Sequence, residues 1–259
     1  MNESYLKQVF GLQQRTALVT GSARGIGRAV AYALGKAGAR VVINDLDAAR
    51  CSETLNAFRE EGIETSVAAF DVSERAAVMD AKHQLEAQGW AIDILVSNAG
   101  NQNRKPLIDM TPEEWQSLMN VHVMGALNCT QAFLPGMCSR GFGRVVMMSS
   151  VSAVATMPNI AAYSTAKASL AAMARAIGVE YGAYGVTANA VAPGFVRTDF
   201  TVGLQQREGF EQFLQDSVPC ARWAVPEDIA PAVLYLTSPA GSFVNGQLLA
   251  IDGGMLARM

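Results

Sequence analysis

A chain of 259 residues, half of them hydrophobic and 17% charged, can bury a large core as one α/β domain or two small ones. Its formal net charge of −3 leaves no basic footprint for nucleic acid or an anionic membrane. No run of about twenty apolar residues exists to span a bilayer, and the opening Met1-Asn2-Glu3-Ser4-Tyr5-Leu6-Lys7 has an acid and no apolar run, unlike a secretory leader.

Short β-branched runs alternate with longer helical patterns, as in parallel strands joined by crossover helices. Thr16–Thr20 is the first predicted strand, and a helix from Arg28 to Ala37 is stopped by Gly38. Val41–Ile43 is the second strand, ending on Asn44-Asp45; a polar helix from Ala48 to Glu61 ends at Gly62. Thr65–Phe70 is the third strand, a helix then runs to Gly89, and Ile92–Val96 is apolar throughout, as an interior parallel strand should be. Thr111-Pro112-Glu113-Glu114 opens a long helix, with Thr111 suited to the cap, Pro112 to the first turn and the acids to the positive end of the dipole.

Arg144–Ser149 is the fifth strand, Ala161–Tyr181 an Ala-rich helix and Val186–Val191 the sixth strand. Gly194 to Pro219 has no clean period, Pro226-Glu227-Asp228 starts a last helix, and Leu248–Ile251 is the seventh strand. With no repeat, low-complexity tract or linker, the expected architecture is α/β: a single doubly wound Rossmann-type domain over residues 1–259, its seven-stranded parallel sheet carrying helices on both faces.

After the first strand comes Thr20-Gly21-Ser22-Ala23-Arg24-Gly25-Ile26-Gly27. Gly21 permits a tight turn, Gly25 a close backbone approach to a ligand, and Gly27 close packing of helix on strand. Free N–H groups at the helix start then face a pyrophosphate. The spacing is G-x-x-x-G-x-G rather than the general G-x-G-x-x-G, and by itself it also fits a mere strand–helix turn. Asp45, about twenty residues on, suits a ribose 2′-hydroxyl and would repel a 2′-phosphate, so NAD is expected over NADP. Arg24 argues the other way, because its guanidinium could pair with that phosphate.

Tyr163 and Lys167 lie four apart on one helical face. A nearby ammonium favours phenolate, which brings a tyrosine toward acid/base use. Ser149-Ser150 end a strand, with Ser150 thirteen positions before Tyr163, where a hydroxyl could polarise a substrate oxygen.

Together, Gly21/Gly25/Gly27, Ser97-Asn98-Ala99-Gly100, Ser150, Tyr163-x-x-x-Lys167 and Pro193-Gly194-x-Val196-x-Thr198 resemble the short-chain dehydrogenase/reductase family from about Arg15 to Gly254. The resemblance implies NAD(P)-dependent hydride transfer between nicotinamide and an alcohol or carbonyl. Tyr163 would exchange the proton with the substrate oxygen, Ser150 would hydrogen-bond that oxygen, and Lys167 would lower the Tyr163 pKa and hold the nicotinamide ribose. Gly21, Arg24, Gly25, Ile26 and Gly27 would line the cofactor with Asp45, Tyr163 and Lys167. Asp71, followed by Val72, would meet the adenine amino group, and Asn98-Ala99-Gly100 would support the adenosine side. Pro193, Gly194, Val196 and Thr198 would hold the carboxamide end. A homotetramer is implied, with helices over Pro112–Arg140 and Ala161–Tyr181 at one interface and Gly253-Gly254-Met255-Leu256 near another subunit.

One position departs from the pattern. Where the family places an Asn three residues before a small residue, this chain has His122 before Gly125; Asn120 stands two residues too early, and Trp115 keeps its register from Asn98. In the family that Asn supports a helix kink in the proton relay, so His122 is expected either to take part in an altered relay or to be a buried structural histidine.

The segment 194–219 is the expected substrate loop. Its Phe195, Phe200, Phe210 and Phe213 either cover an apolar substrate or pack a lid down. Asn98–Leu107, Ala221-Arg222-Trp223 and Phe243-Val244-Asn245-Gly246 resemble the gluconate 5-dehydrogenase branch, in which Arg104 or Lys105 could pair with a sugar-acid carboxylate. The expected substrate is therefore a sugar, polyol or sugar acid. Alternatives are a 3-oxoacyl thioester or steroid-type ketone, or, in another class, a non-catalytic nucleotide-binding sensor. Cys51, Cys129, Cys138 and Cys220 form no C-x-x-C, and His83 and His122 are far apart, so reduced thiols, no metal site and a cytoplasmic location are expected.

Overall fold

Strand β1 (Thr16–Val19) is buried at every residue, as a strand covered on both faces must be. In the computed structural model, which describes residues 3–258, it lies within a seven-stranded parallel sheet completed by β2 (Arg40–Ile43), β3 (Thr65–Val67), β4 (Ile94–Ser97), β5 (Gly143–Met148), β6 (Val186–Pro193) and β7 (Leu248–Ile251). Met1, Asn2 and Met259, part of the expected 1–259 unit, lie outside the described residues. The spatial order β3-β2-β1-β4-β5-β6-β7 means that the chain steps outward from β1 to β3 and then returns to the other side of β1. That reversal opens a crevice beyond the carboxyl ends of β1 and β4, where such sheets take ligands.

The helices are α1 (Glu3–Phe10), α2 (Gly25–Lys36), α3 (Ala48–Glu60), α4 (Arg75–Ala87), α5 (Pro112–Met119), α6 (Gly125–Arg140), α7 (Ala161–Tyr181), α8 (Val202–Gln205), α9 (Phe210–Ser217) and α10 (Pro226–Thr237). Alternate strand residues face opposite sides. Leu18, Val42, Leu95, Val145 and Met147 meet Leu85 of α4, Phe133 of α6, and Leu170 and Ala174 of α7. Val19, Val41, Ile43, Ile94, Val96 and Val146 meet Val30 and Leu34 of α2, Phe58 of α3 and Val233 of α10. The sheet is thus sandwiched, with helices packed on both faces. The helix starts follow the sequence signals. Asp47 accepts from the Ala49 and Arg50 N–H groups at 3.0 and 3.2 Å, and Thr111 with Glu114 closes a capping box ahead of Pro112.

Several boundaries differ from expectation. α2 begins at Gly25, because Gly25 with φ of +56° enters the helix directly from extended Arg24. β3 stops at Val67; beyond it the Ala68 and Phe70 carbonyls accept from the Asn44 side chain at 2.9 and 3.1 Å. The long helix expected from Pro112 contains one π-helical turn, Asn120–Met124, between α5 and α6. Segment 194–219 holds a 3-10 turn at Asp199–Thr201 followed by α8 and α9. Helices of four and eight residues are too short to display a period, and α1 was not expected at all. Phe210, Leu214, Val218 and Trp223, joined by Phe195 and Phe213, make a small aromatic core for this segment.

Candidate active site

The glycine turn shows why each glycine is needed. Gly21 has φ of +61°, and a Cβ on Gly27 would stand 2.3 Å from the Gly21 carbonyl oxygen and 2.6 Å from Asn98 Nδ2. Gly25 differs: a Cβ there would meet only the Thr198 side chain, at 3.6 Å, across the crevice. Arg24 at the N-cap makes no capping bond, and the first turn of α2 carries no acid. The N–H groups at this helix end are therefore available to an anion, and a backbone cradle lies over them. These residues fit a dinucleotide pyrophosphate.

Thr20 Oγ1 accepts from the N–H groups of Asn98 and Ala99 at 2.9 and 3.0 Å, while Asn98 Nδ2 donates to the carbonyls of Thr20 and Gly21. The loop after β4 is thereby stapled to the turn after β1. Half-buried Asp45 follows β2 by two residues and lines the same cleft as this turn. Asp71 Oδ1 accepts from the N–H and hydroxyl of Ser73, and Asn128 Nδ2 fixes the Val72 carbonyl at 3.0 Å.

On the other side, β5 and α7 bring the chemical groups together. Lys167 is 4% exposed, and its Nζ donates to the Met148 carbonyl at 2.7 Å; Ser149 Oγ donates to the Lys167 carbonyl at 2.7 Å. Ser150 Oγ accepts from the Ser152 N–H at 3.1 Å and lines the same cleft as the Tyr163 phenol. Burial pushes the phenol up to about 12, opposed by the Ser150 hydrogen bond and the Arg104 charge. Burial pushes Lys167 down to about 7, with Nζ 5.4 Å from the Tyr163 ring centroid. A lysine so close to neutrality carries only part of a charge at pH 7. Ser150 and Arg104 pull the phenol down.

One cleft of about 610 Å³ collects every nominated side chain: Ser150, Tyr163, Lys167 and His122, the residues of the glycine turn, Asp45, Asp71, Val72, Asn98, Ala99 and Gly100, and Pro193, Gly194, Val196 and Thr198. A phenol, a hydroxyl and a buried amine on one wall thus face a dinucleotide cradle on the other. Such a site can move a proton at a substrate oxygen beside a bound nicotinamide.

Residues 21–256 match the family model described as Enoyl-(Acyl carrier protein) reductase. A gluconate 5-dehydrogenase of Gluconobacter oxydans is 36% identical over 95% of this chain and 96% of its own length. A 5-keto-D-gluconate 5-reductase of Escherichia coli is 34% identical, covering 97% of this chain and 99% of its own. The crystal structure of a gluconate 5-dehydrogenase from Burkholderia cenocepacia in complex with NADP and tartrate is 38% identical with a TM-score of 0.95, covering 98% and 99% of the two chains. The chain belongs to the short-chain dehydrogenase/reductase family. It is an NAD(P)-dependent oxidoreductase acting on CH–OH groups.

In this dehydrogenase, His122 sits on the π-helical turn, 2% exposed, with its ring edge-to-face on Tyr163 at 5.7 Å between centroids. Its Nε2 lies 2.8 Å from the Asn101 carbonyl and 3.2 Å from the Asn101 N–H; the shorter contact assigns the proton to Nε2. Nδ1 is buried without a partner, and a Cβ on Gly100 would meet the ring at 2.4 Å. Burial, helped by the Lys167 charge, pushes His122 down to about 3, so it is neutral at working pH.

Two residues that the sequence did not single out, Asp199 and Gln102, also make contacts at the cleft. Asp199 Oδ2 pairs with Arg24 Nη1 at 3.4 Å, Gln102 Nε2 donates to the Phe200 carbonyl, and Arg104 Nε donates to Gln102 Oε1 at 2.7 Å. The Phe200 ring leans on Tyr163 at 6.1 Å, while Phe195, Phe210 and Phe213 stack among themselves and with Trp223. Three of the four phenylalanines therefore hold the segment together, while Phe195 and Phe200 line the cleft. Lys105 turns away to Glu114 at 2.9 Å, leaving Arg104 at the cleft. The one available signal was an acid directly after the Pro193–Thr198 motif. Among the described residues no helix is long and apolar enough to cross a membrane, and no group of three His, Cys, Asp or Glu side chains could hold a metal ion.

Proposed function

We propose that this enzyme interconverts a secondary alcohol of a sugar acid and the corresponding ketone, with Tyr163 as acid/base and NAD as the favoured cofactor. The observation that carries the substrate class is Arg104: its guanidinium lines the cleft and acts electrostatically on the Tyr163 phenol. A carboxylate bound there would hold a neighbouring hydroxyl-bearing carbon within reach of the phenol. The relatives named for gluconate and 5-keto-D-gluconate support the same class, and a steroid or acyl chain would leave the guanidinium without an anion.

In the oxidising direction the substrate hydroxyl gives its proton to Tyr163 Oη, and in the reducing direction Tyr163 returns it to the carbonyl oxygen. The nicotinamide, when bound, accepts or supplies the hydride. Ser150 donates a hydrogen bond to the oxygen on which charge develops. Lys167 keeps one donor on Met148 and has others for the cofactor ribose and the phenol. His122 acts as a positioning residue, its Nε2 committed to Asn101 and its ring supporting Tyr163. Asp45 meets the adenosine ribose, and the glycine turn, Asp71, Val72, Asn98–Gly100 and the Pro193–Thr198 residues hold the remainder. Segment 194–219 is the substrate loop of the single domain.

The free state of all four cysteines supports a reducing, cytoplasmic setting. The small residues on the outer face of α7 support the homotetramer, which light scattering on the purified protein would check by returning four times the chain mass.

The test is Arg104→Met, assayed by nicotinamide absorbance against aldonates, polyols, ketoses and 3-oxoacyl thioesters. KM for the aldonate should rise about 10- to 100-fold, as expected for a lost charge-assisted bond, with a neutral polyol affected less than about threefold. Turnover confined to acyl thioesters would sink the substrate assignment. Cofactor binding without turnover on any compound would favour the sensor.

A further inference from the structure

We infer that Asp199 is a cofactor-selecting residue: by holding the Arg24 guanidinium across the cleft it withholds the cation best placed for a ribose 2′-phosphate, and so sides with Asp45 against NADP. This rests on the reading that Asp45 favours NAD.

Arg24 leaves the glycine turn in extended backbone, with φ of −156° and ψ of 174°, and makes no capping bond to its own helix. Its side chain reaches over the cleft to Asp199, 175 positions away, at 3.4 Å. The other cations of the cleft are committed elsewhere: Arg104 and Lys167 lie at the Tyr163 end, and Arg197 turns to Glu211 at 3.5 Å.

Asp199 is presented by a built turn. The Thr198 N–H donates to Thr201 Oγ1 at 3.2 Å, Thr201 Oγ1 donates to the Val196 carbonyl at 2.7 Å, and Gln102 holds the Phe200 carbonyl. These bonds hold the backbone that carries Asp199, and so set the end of the cleft from which its carboxylate meets Arg24. With side chains 57% and 73% exposed, the pair is a weak clasp that water screens. A 2′-phosphate adds nearly two negative charges near Asp45, and to gain Arg24 it must first break this clasp. NAD makes no such demand at its 2′-hydroxyl.

Asp199→Asn should tighten NADP⁺ binding roughly two- to fivefold, the scale of one exposed ion pair with its screening, while NAD⁺ stays within about 1.5-fold. Dissociation constants from quenching of tryptophan fluorescence read this without turnover, and kcat/KM for the two cofactors should move in parallel. In an Arg24→Ala background the Asp199→Asn effect should disappear. Equal tightening of both cofactors would overturn the inference, because Asp199 would then merely compete with the shared pyrophosphate. Persistence of the full effect in Arg24→Ala would also overturn it, since direct charge repulsion would suffice. Wild-type protein that binds NADP⁺ more tightly than NAD⁺ would refute the Asp45 reading, whereas the Asp199 ratio is measured relative to wild type in either case.

Discussion

Lys167 and Arg104 are both cations beside Tyr163, yet they are built in opposite ways. Lys167 is sealed between β5 and α7, fixed to the Met148 carbonyl, and pushed to about 7 by burial. Arg104 stands at the exposed rim and reaches a single side-chain partner, Gln102. The same contrast separates the floor of the cleft, where Ser149, Lys167 and His122 are tied to backbone carbonyls, from the rim, where Arg24, Asp199, Gln102 and Phe200 meet across open solvent. In the proposed reaction, chemistry that must be the same for every substrate falls to the tied side, and recognition, which must admit and release ligands, falls to the rim, where contacts are weak and reversible.

The largest effect is expected on the floor. Tyr163→Phe should lower kcat about 10³- to 10⁴-fold, within the range of a lost acid/base, while NAD⁺ binding measured by fluorescence stays within about twofold; residual activity above a tenth of wild type would move the acid/base role elsewhere.

Next is Lys167→Met. It should lower kcat about 10²- to 10³-fold and yet stabilise the fold by at least about 1 kcal/mol at neutral pH, because one unit of pKa depression is about 1.4 kcal/mol. The folded value lies below the unfolded one, so the cost of burying the amine is full below about 7 and fades as pH rises toward 10.5. Denaturant melts of both proteins from pH 6 to 10.5 should show the advantage of the variant shrinking with pH; a constant difference would mean that burial is not its source. The rim follows, with the Arg104 and Asp199 variants changing KM and cofactor preference rather than kcat.

The smallest effect is expected from His122→Asn, with kcat within about threefold, since a positioning contact can be rebuilt by another amide or ring donor. Its signature is in acid. A neutral folded His122 near 3 against an unfolded value of 6.5 makes wild type lose stability as pH falls from 6.5 toward 3. The variant should lose less over that window, and parallel curves would remove His122 from the acid response.

Much of this was legible in the sequence. Gly21 and Gly27 announced themselves because glycine takes a positive φ without strain and because a Cβ on Gly27 would stand 2.3 Å from a carbonyl oxygen. Tyr163 and Lys167 announced themselves through helical spacing, and Thr111 through local capping. Other features were invisible for physical reasons. The lysine's partner is the Met148 carbonyl, and a backbone acceptor carries no residue signature. The π-helical turn leaves the composition of the helix unchanged, and α8 and α9 are too short for periodicity. Arg24–Asp199 and Gln102–Phe200 join positions 175 and 98 apart, so neither partner predicts the other.

The sequence by itself determined the order of the seven strands and of the longer helices between them, and it located the glycine turn and nominated the groups proposed to act at the reacting oxygen, because each depends on local φ, ψ or spacing. Tertiary structure alone decided the protonation of those groups and their company. Burial pushes Lys167 and Tyr163 in opposite directions, Ser150 and Arg104 act on the phenol, and Asp199 occupies Arg24. Desolvation and long-range charge depend on what the whole fold places around a group, and that is set only when the sheet, α7 and the rim close on one cleft.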